Sequence, residues 1–127
     1  LVMDQWFSVQ AGNPLPGGLE RVQTLMQHPA FTLKNPNKVR ALIGAFANQN
    51  LVNFHRADGA GYHFLADQVI TLNSLNPQIA SRLLAPLTRW RKYDSARQAL
   101  MRAELERILA SGELSSDVYE VVSKSLA

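Results

Sequence analysis

The dipeptide Asn-Pro occurs twice in this chain, at Asn35-Pro36 and Asn76-Pro77, each time before a run of apolar residues at helical spacing. An Asn side chain accepts a hydrogen bond from the open amides of a first helical turn. Proline at the next position gives up only an N–H that has no partner there. Both sites therefore read as helix starts. Gly and Pro gather between the periodic runs, and beyond short runs no segment keeps the period-two alternation of a half-buried strand. The chain is expected to be all-α.

The helices can be placed from the pattern. Leu1 to Ala11 carries Val2, Met3, Trp6, Phe7 and Val9 as an apolar stripe, ended by Asn13-Pro14-Leu15-Pro16-Gly17-Gly18. A second helix runs from about Leu19 to Gln27, with Leu19, Val22, Leu25 and Met26 inward. From Asn35-Pro36 a third buries Val39, Leu42, Ile43 and Phe46 and reaches about Asn48. Leu51 to His55 is a short apolar turn, and Asp58-Gly59-Ala60-Gly61 is a turn whose glycines permit positive φ. Tyr62 to Leu75 resumes the helical period. Asn76-Pro77 opens a helix to about Trp90. Asp94 or Ser95 caps the next, which stops at Gly112, and Ser115 or Ser116 caps the last, with Val118, Val121, Val122 and Leu126 inward. No repeat of fixed period stands out. The expected architecture is about seven to eight helices stacked as antiparallel pairs, solenoid-like.

Composition removes several classes of function. Of 127 residues none is cysteine, which excludes disulfides, thiolate metal sites and a cysteine nucleophile. No apolar run approaches the roughly 18 residues of a membrane span. No secretory signal is visible, and Leu1 with Met3 inside an amphipathic pattern suggests a fragment that begins within a helix. The net charge is +3, with Arg82, Arg89, Arg91, Lys92, Arg97, Arg102 and Arg107 close together. Such a stretch suits a nucleic-acid face or, as the simpler reading, a solvated helix surface with pairs such as Arg102 and Glu106 four residues apart.

The residues that carry common chemistries are missing. His28, His55 and His63 are the only histidines, and no two stand four apart around a Glu as a helical zinc site requires. There is no nucleophile elbow, phosphate loop or dinucleotide fingerprint. By itself the chain is not expected to be an enzyme, with no catalytic residue and no metal ligand.

One helix stands out. From Asn76-Pro77, Ile79, Leu83, Leu87 and Trp90 fall on one arc, while Gln78, Arg82 and Arg89 fall on the far side. Pro86 lies inside this helix, with its ring against the carbonyl of Arg82, so a bend is expected at the polar stripe. The pattern leaves two readings open: a kinked surface helix, or a bend that directs Gln78 and Arg82 into a cavity to bind a peptide carbonyl or carboxylate. Arg40, one turn into its own helix, is open in the same way.

Several segments resemble the C-terminal domain of bacterial aminopeptidase N. They are residues 35–46 (NPNKVRALIGAF), 54–62 (FHRADGAGY), 72–83 (LNSLNPQIASRL) and 114–120 (LSSDVYE), in the family's order and spread over essentially the whole chain. The resemblance implies a single helical domain fragment over residues 1–127, the C-terminal part of a larger zinc aminopeptidase that removes N-terminal residues from peptides. Its zinc ligands and amine-gripping Glu would lie in an upstream catalytic domain absent here. The helical domain would close over the cleft, and Arg40, Gln78 and Arg82 match positions that line the substrate cavity. The implied partners are the upstream domain and peptide substrates, in the cytoplasm, with no nucleic acid expected. The alternatives are a stand-alone helical protein-interaction module and, behind it, a basic nucleic-acid-binding helical domain.

Overall fold

The computed structural model describes residues 2–127, apart from the side chain of Val2. Leu1, with which the first expected helix begins, lies outside them. Among the described residues every regular element is helical. They are α1 (Val2–Gly12), α2 (Gly18–Leu25), α3 (Pro36–Val39), α4 (Ala45–Gln49), α5 (Leu51–Phe54), α6 (Ala60–Leu75), α7 (Pro77–Leu83), α8 (Ala85–Thr88), α9 (Ser95–Leu109) and α10 (Ser116–Leu126). A π-helical segment, Arg40–Gly44, joins α3 to α4, and a 3-10 turn, Trp90–Lys92, follows α8. The chain divides into two compact units, Leu1–Arg56 and Ala57–Ala127.

In the first unit α1 packs on the π segment, α4 and α2, and α2 also meets α5. Asn35 Oδ1 accepts the Asn37 amide at 3.0 Å with Pro36 at the first helical position, as the sequence predicts. Val39, Leu42, Ile43 and Phe46 are fully buried. Phe46 meets Phe54 edge-on at 6.0 Å, and Phe7 meets Phe31 in the same way at 5.9 Å. Each such pair adds about 0.5–1.5 kcal/mol to the burial of its rings. His28 stands 5.7 Å from Phe7 and 5.5 Å from Trp6, and its Nδ1 accepts the Ala30 amide. It is a packing residue in a turn. The expected stripe of α1 is only partly inward: Phe7 is buried, whereas Trp6 and Val9 are exposed.

The second unit is built around α6, which packs on α7 and α9, while α10 packs on α9 and α7. Tyr62, Leu65, Leu72, Leu84, Leu87, Met101 and Leu105 form its core. Gly59 takes φ 77°, in the left-handed region that glycine enters without strain, and Asp58 Oδ1 accepts the Ala60 amide across it. Asp94 and Ser115 cap α9 and α10 through the amides of Arg97 and Val118. Asn73 fixes the α9–α10 link: its amide donates to the Glu113 carbonyl and its Oδ1 accepts the Ser115 N–H. Trp90 donates to the Ser125 carbonyl at 3.0 Å and so ties the 3-10 turn to α10.

The helix expected from Asn76 to Trp90 is broken. Leu84 leaves the helical pattern between α7 and α8. Pro86 has no N–H for the Arg82 carbonyl, and its ring crowds that carbonyl, so the regular ladder stops one turn early.

Candidate functional site

Arg40 opens the π segment, and its side chain is exposed. It lines a cavity of about 270 Å³ together with Ser8, Gly44, Ala45, Asn48 and Gln49. Its Nη2 donates to Asn37 Oδ1 at 2.6 Å, which leaves most of the five guanidinium N–H groups for other acceptors. Ser8 Oγ donates to the Ala41 carbonyl at 3.0 Å, and Asn48 Nδ2 to the Gly44 carbonyl at 2.8 Å. Both bonds spend a donor, so Ser8 Oγ and Asn48 Oδ1 keep lone pairs. The residues that line the cavity thus include one cation and several neutral polar groups, and none of them is acidic.

Gln78 and Arg82 lie on α7 of the second unit, and both are exposed. They stand four residues apart, opposite the buried Ile79 and Leu83, so their Cβ atoms are about 5–6 Å apart along one face. Asn76 Oδ1 accepts the Ile79 amide at 3.3 Å and fixes the start of that helix. The break at Leu84 ends it just beyond Arg82. Among the described residues neither Arg40 nor Arg82 forms an ion pair. The guanidinium donors that Arg40 does not spend on Asn37, and those of Arg82, can serve other acceptors. The three residues singled out from sequence therefore fall into two groups: Arg40 in its cavity, and Gln78 with Arg82 on α7.

Arg91, Arg97, Arg102 and Arg107, from the rest of the basic stretch, each have a partner on the surface. Arg102 lies 3.8 Å from Glu106, the predicted i, i+4 pair. Arg97 holds Asp94 at 3.1 Å, and Arg107 bridges Glu104 at 2.8 Å and Asp67 at 3.0 Å. Arg91 lies over the Trp90 ring at 4.6 Å. The hydrogen bond from the Arg97 side chain, followed by the one from its amide, holds the Asp94 carboxyl below its ordinary value. His63 stands 3.2 Å from Glu104 and 3.7 Å from Asp67. Those carboxylates are already engaged by Arg107. Among the described residues no group of three His, Cys, Asp or Glu is placed to hold a metal ion, so the residues present do not fit a zinc site.

The comparisons with known proteins agree with this all-helical arrangement. A family model described as "Domain of unknown function (DUF3458_C) ARM repeats" matches residues 1–127. The chain belongs to this ARM-repeat family. It is 52% identical over 127 residues to aminopeptidase N of Escherichia coli (strain K12), covering 100% of this chain and 15% of that protein. It is 51% identical over 126 residues to aminopeptidase N of Caulobacter vibrioides, covering 99% of this chain and 15% of that protein. A crystal structure of Legionella pneumophila aminopeptidase A in complex with aspartic acid superposes with a TM-score of 0.92 at 43% identity, over 98% of this chain and 14% of that one. The resemblance read from the sequence is borne out, and the chain corresponds to a helical domain of aminopeptidase N-like proteins. It spans about one seventh of the length of these relatives.

Sequence reasoning found Arg40 but not the other walls of its cavity. Ser8 and Gly44 carry no signal in the chain. The run Asn48-Gln49-Asn50 reads only as the end of an apolar helix, although three amides in succession are the trace of a polar lining and of a buried network. No helix among the described residues is long and apolar enough to cross a membrane.

Proposed function

We propose that this chain is the noncatalytic C-terminal helical domain of a larger cytoplasmic zinc aminopeptidase, which closes over the active-site cleft and lines the cavity through which peptides are held. One observation carries the proposal: aminopeptidase N sequences match the whole of this chain at about half identity, while the chain makes up only 15% of the Escherichia coli relative. The zinc and the groups that move protons belong to the upstream catalytic domain, which is the domain's partner. Trp6, Val9, Leu51 and Val52 stand exposed on the first unit and supply apolar area for that partner to cover.

In this role Gln78 and Arg82 position the substrate. The guanidinium of Arg82 donates to a carbonyl or carboxylate of the leaving peptide, and Gln78 beside it supplies a neutral amide. Holding a bound peptide in register lowers the entropy that the reaction step must still lose, and neither residue transfers a proton. Arg40 acts on the same substrates from its own cavity.

The test uses the full-length enzyme with Arg82→Ala and Gln78→Ala. Hydrolysis of an alanyl-nitroanilide, which has no leaving peptide, is compared with that of tripeptides and tetrapeptides. A rise in KM confined to the peptides supports the reading. Equal loss on both substrates, or none on either, removes it. Zinc-dependent hydrolysis by the 127-residue chain alone would also overturn it.

A further inference from the structure

We infer that the 3-10 turn after α8 is a docking surface for an acidic segment of another protein, with Arg89 and Lys92 as its main contacts and Arg91 and Arg102 beside them. The inference is independent of the roles given to Gln78 and Arg82. Four observations carry it.

The first is charge left without a counterion. No acidic residue stands between Asp67 and Asp94, whereas Arg82, Arg89, Arg91 and Lys92 all fall in that interval. The two flanking carboxylates are engaged elsewhere, Asp67 with Arg107 at 3.0 Å and Asp94 with Arg97 at 3.1 Å. Arg89 and Lys92 are exposed, and among the described residues neither side chain has an ion pair or a hydrogen bond.

The second is placement. The Lys92 amide donates to the Arg89 carbonyl at 3.1 Å, the i, i+3 bond of a 3-10 turn. Three residues per turn bring the side chains at those two positions onto one side. In the sequence pattern Arg89 shares an arc with Gln78 and Arg82. The break at Leu84 ends that phase, and the turn aligns Arg89 with Lys92 instead. Like charges so placed repel, and a run of carboxylates laid across them removes the repulsion.

The third is rigidity. Trp90 Nε1 donates to the Ser125 carbonyl at 3.0 Å, and Gln98 Nε2 donates to the carbonyls of Arg91 at 3.1 Å and Tyr93 at 2.7 Å. Arg91 reaches the Ala127 carbonyl. These bonds fix the turn on α9 and α10 and involve the head group of neither Arg89 nor Lys92. A turn held in this way has little order left to lose when a partner binds.

The fourth observation selects the partner. Trp90 is only 8% exposed, with the Arg91 guanidinium 4.6 Å and that of Arg102 5.8 Å from its ring centroid. Single-stranded nucleic acids are held by stacking bases on open aromatic faces, and here the indole is covered by cations. Cations without an open ring suit the side-chain carboxylates of Asp and Glu.

The experiment follows, by fluorescence anisotropy, the binding of a labelled, N-acetylated peptide of about eight glutamates to the full-length enzyme, at low salt and at physiological ionic strength. The acetyl group removes the free amine and with it any turnover. Binding is expected at low salt and should weaken several-fold as exposed charges are screened. Arg89→Gln combined with Lys92→Gln should raise Kd about tenfold. The same variant should leave thermal unfolding and hydrolysis of alanyl-nitroanilide unchanged, and Arg82→Ala should leave Kd unchanged. Absence of binding at low salt overturns the inference. So does a Kd that the double variant does not alter, or one that Arg82→Ala raises instead, which would place the peptide in the substrate cavity. A single-stranded RNA of equal charge that binds more tightly through the same two residues would make the partner a nucleic acid, and the inference would fall. The proposed function stands or falls separately, on peptide and nitroanilide hydrolysis by the Gln78 and Arg82 variants.

Discussion

Asn53 Nδ2 donates to Asn50 Oδ1 at 2.9 Å, joining two almost fully buried amides on consecutive turns of the first unit. Their remaining groups hold the segment between α1 and α2. Asn50 Nδ2 donates to the carbonyls of Ala11 at 2.9 Å and Asn13 at 2.8 Å, and Asn53 Nδ2 also donates to that of Leu15 at 3.1 Å. The Pro-rich link cannot satisfy those carbonyls from its own amides, because Pro14 and Pro16 have none. The two asparagines take that place. Asn50→Leu keeps the volume and removes the donors, leaving buried carbonyls without partners at about 1–3 kcal/mol. Chemical denaturation of the variant is expected to show a midpoint lowered by that much. An unchanged midpoint would mean that water replaces the amide.

The same network explains one glycine and leaves another free. A Cβ on Gly18 would lie 2.5 Å from Asn53 Nδ2 and 2.6 Å from its Cγ. Those atoms are pinned by hydrogen bonds, so Gly18→Ala forces the network apart and is expected to cost about 1–3 kcal/mol. Gly44 has no such neighbour. Gly44→Ala is expected to leave stability unchanged or raise it by about 0.5–1 kcal/mol, since alanine suits a helix interior better than glycine. Thermal melts of the two variants side by side check the opposite signs.

What the sequence made legible was local. Asn35, Asn76, Asp94 and Ser115 each place a side-chain acceptor on a first-turn amide, and each lies where an acceptor meets the start of an apolar period. Of the residues expected inward in α10, Val118 and Val122 are buried, and Val121 and Leu126 are half-buried. The missed features depend on contacts between distant segments. Nothing in the order of residues distinguishes Asn50 and Asn53 from exposed asparagines, because the backbone groups they hold between α1 and α2 stand 35 or more positions away. The stripe of α1 shows the same limit: Trp6 and Val9 continue the apolar period of Phe7, yet Phe7 is buried, Trp6 is only partly covered beside His28, and Val9 stays exposed. Pro86 announced a bend, but whether a proline bends or breaks a helix depends on the packing around Leu84 and Leu87, which spacing does not encode. The helical pattern raised Gln78 and Arg82 and left Arg40 open, and only the resemblance favoured a substrate-cavity role for the three. Their pattern is also that of ordinary surface residues.

Acid stability should report two carboxylates. The hydrogen bond from Lys38, 2.5 Å away, holds the Asp4 carboxyl below its ordinary value, and Asp94 is lowered by Arg97. A carboxyl whose folded value is depressed contributes stability that is complete above its unfolded pKa, about 3.9, and is lost as pH falls through the folded value. The loss is thus expected below about pH 4, and none of it near neutrality. Asp4→Asn combined with Asp94→Asn should flatten the acid limb of a stability profile, with Asn at position 94 preserving the cap on α9. A limb as steep as before would assign the acid loss to other carboxylates.

Gly59 offers the sharpest check on the second unit, because two separate constraints meet there. Its φ of 77° lies where any residue with a Cβ is strained, at a cost of roughly 1–2 kcal/mol. A Cβ there would also stand 3.1 Å from Leu100 Cδ2 on α9. The backbone penalty is unavoidable, whereas the contact can be relieved by trimming Leu100. Gly59→Ala is therefore expected to lower stability by about 1–3 kcal/mol, and adding Leu100→Ala should recover the steric share while adding its own cost for a half-buried leucine. A double-mutant cycle separates the two: a coupling of about 0.5 kcal/mol or more between the sites identifies the contact, and strict additivity assigns the whole effect to the backbone. Glycine avoids both penalties where the turn brings α6 in beside α9: Asp58 holds the Ala60 amide and Gly59 leaves room for the leucine.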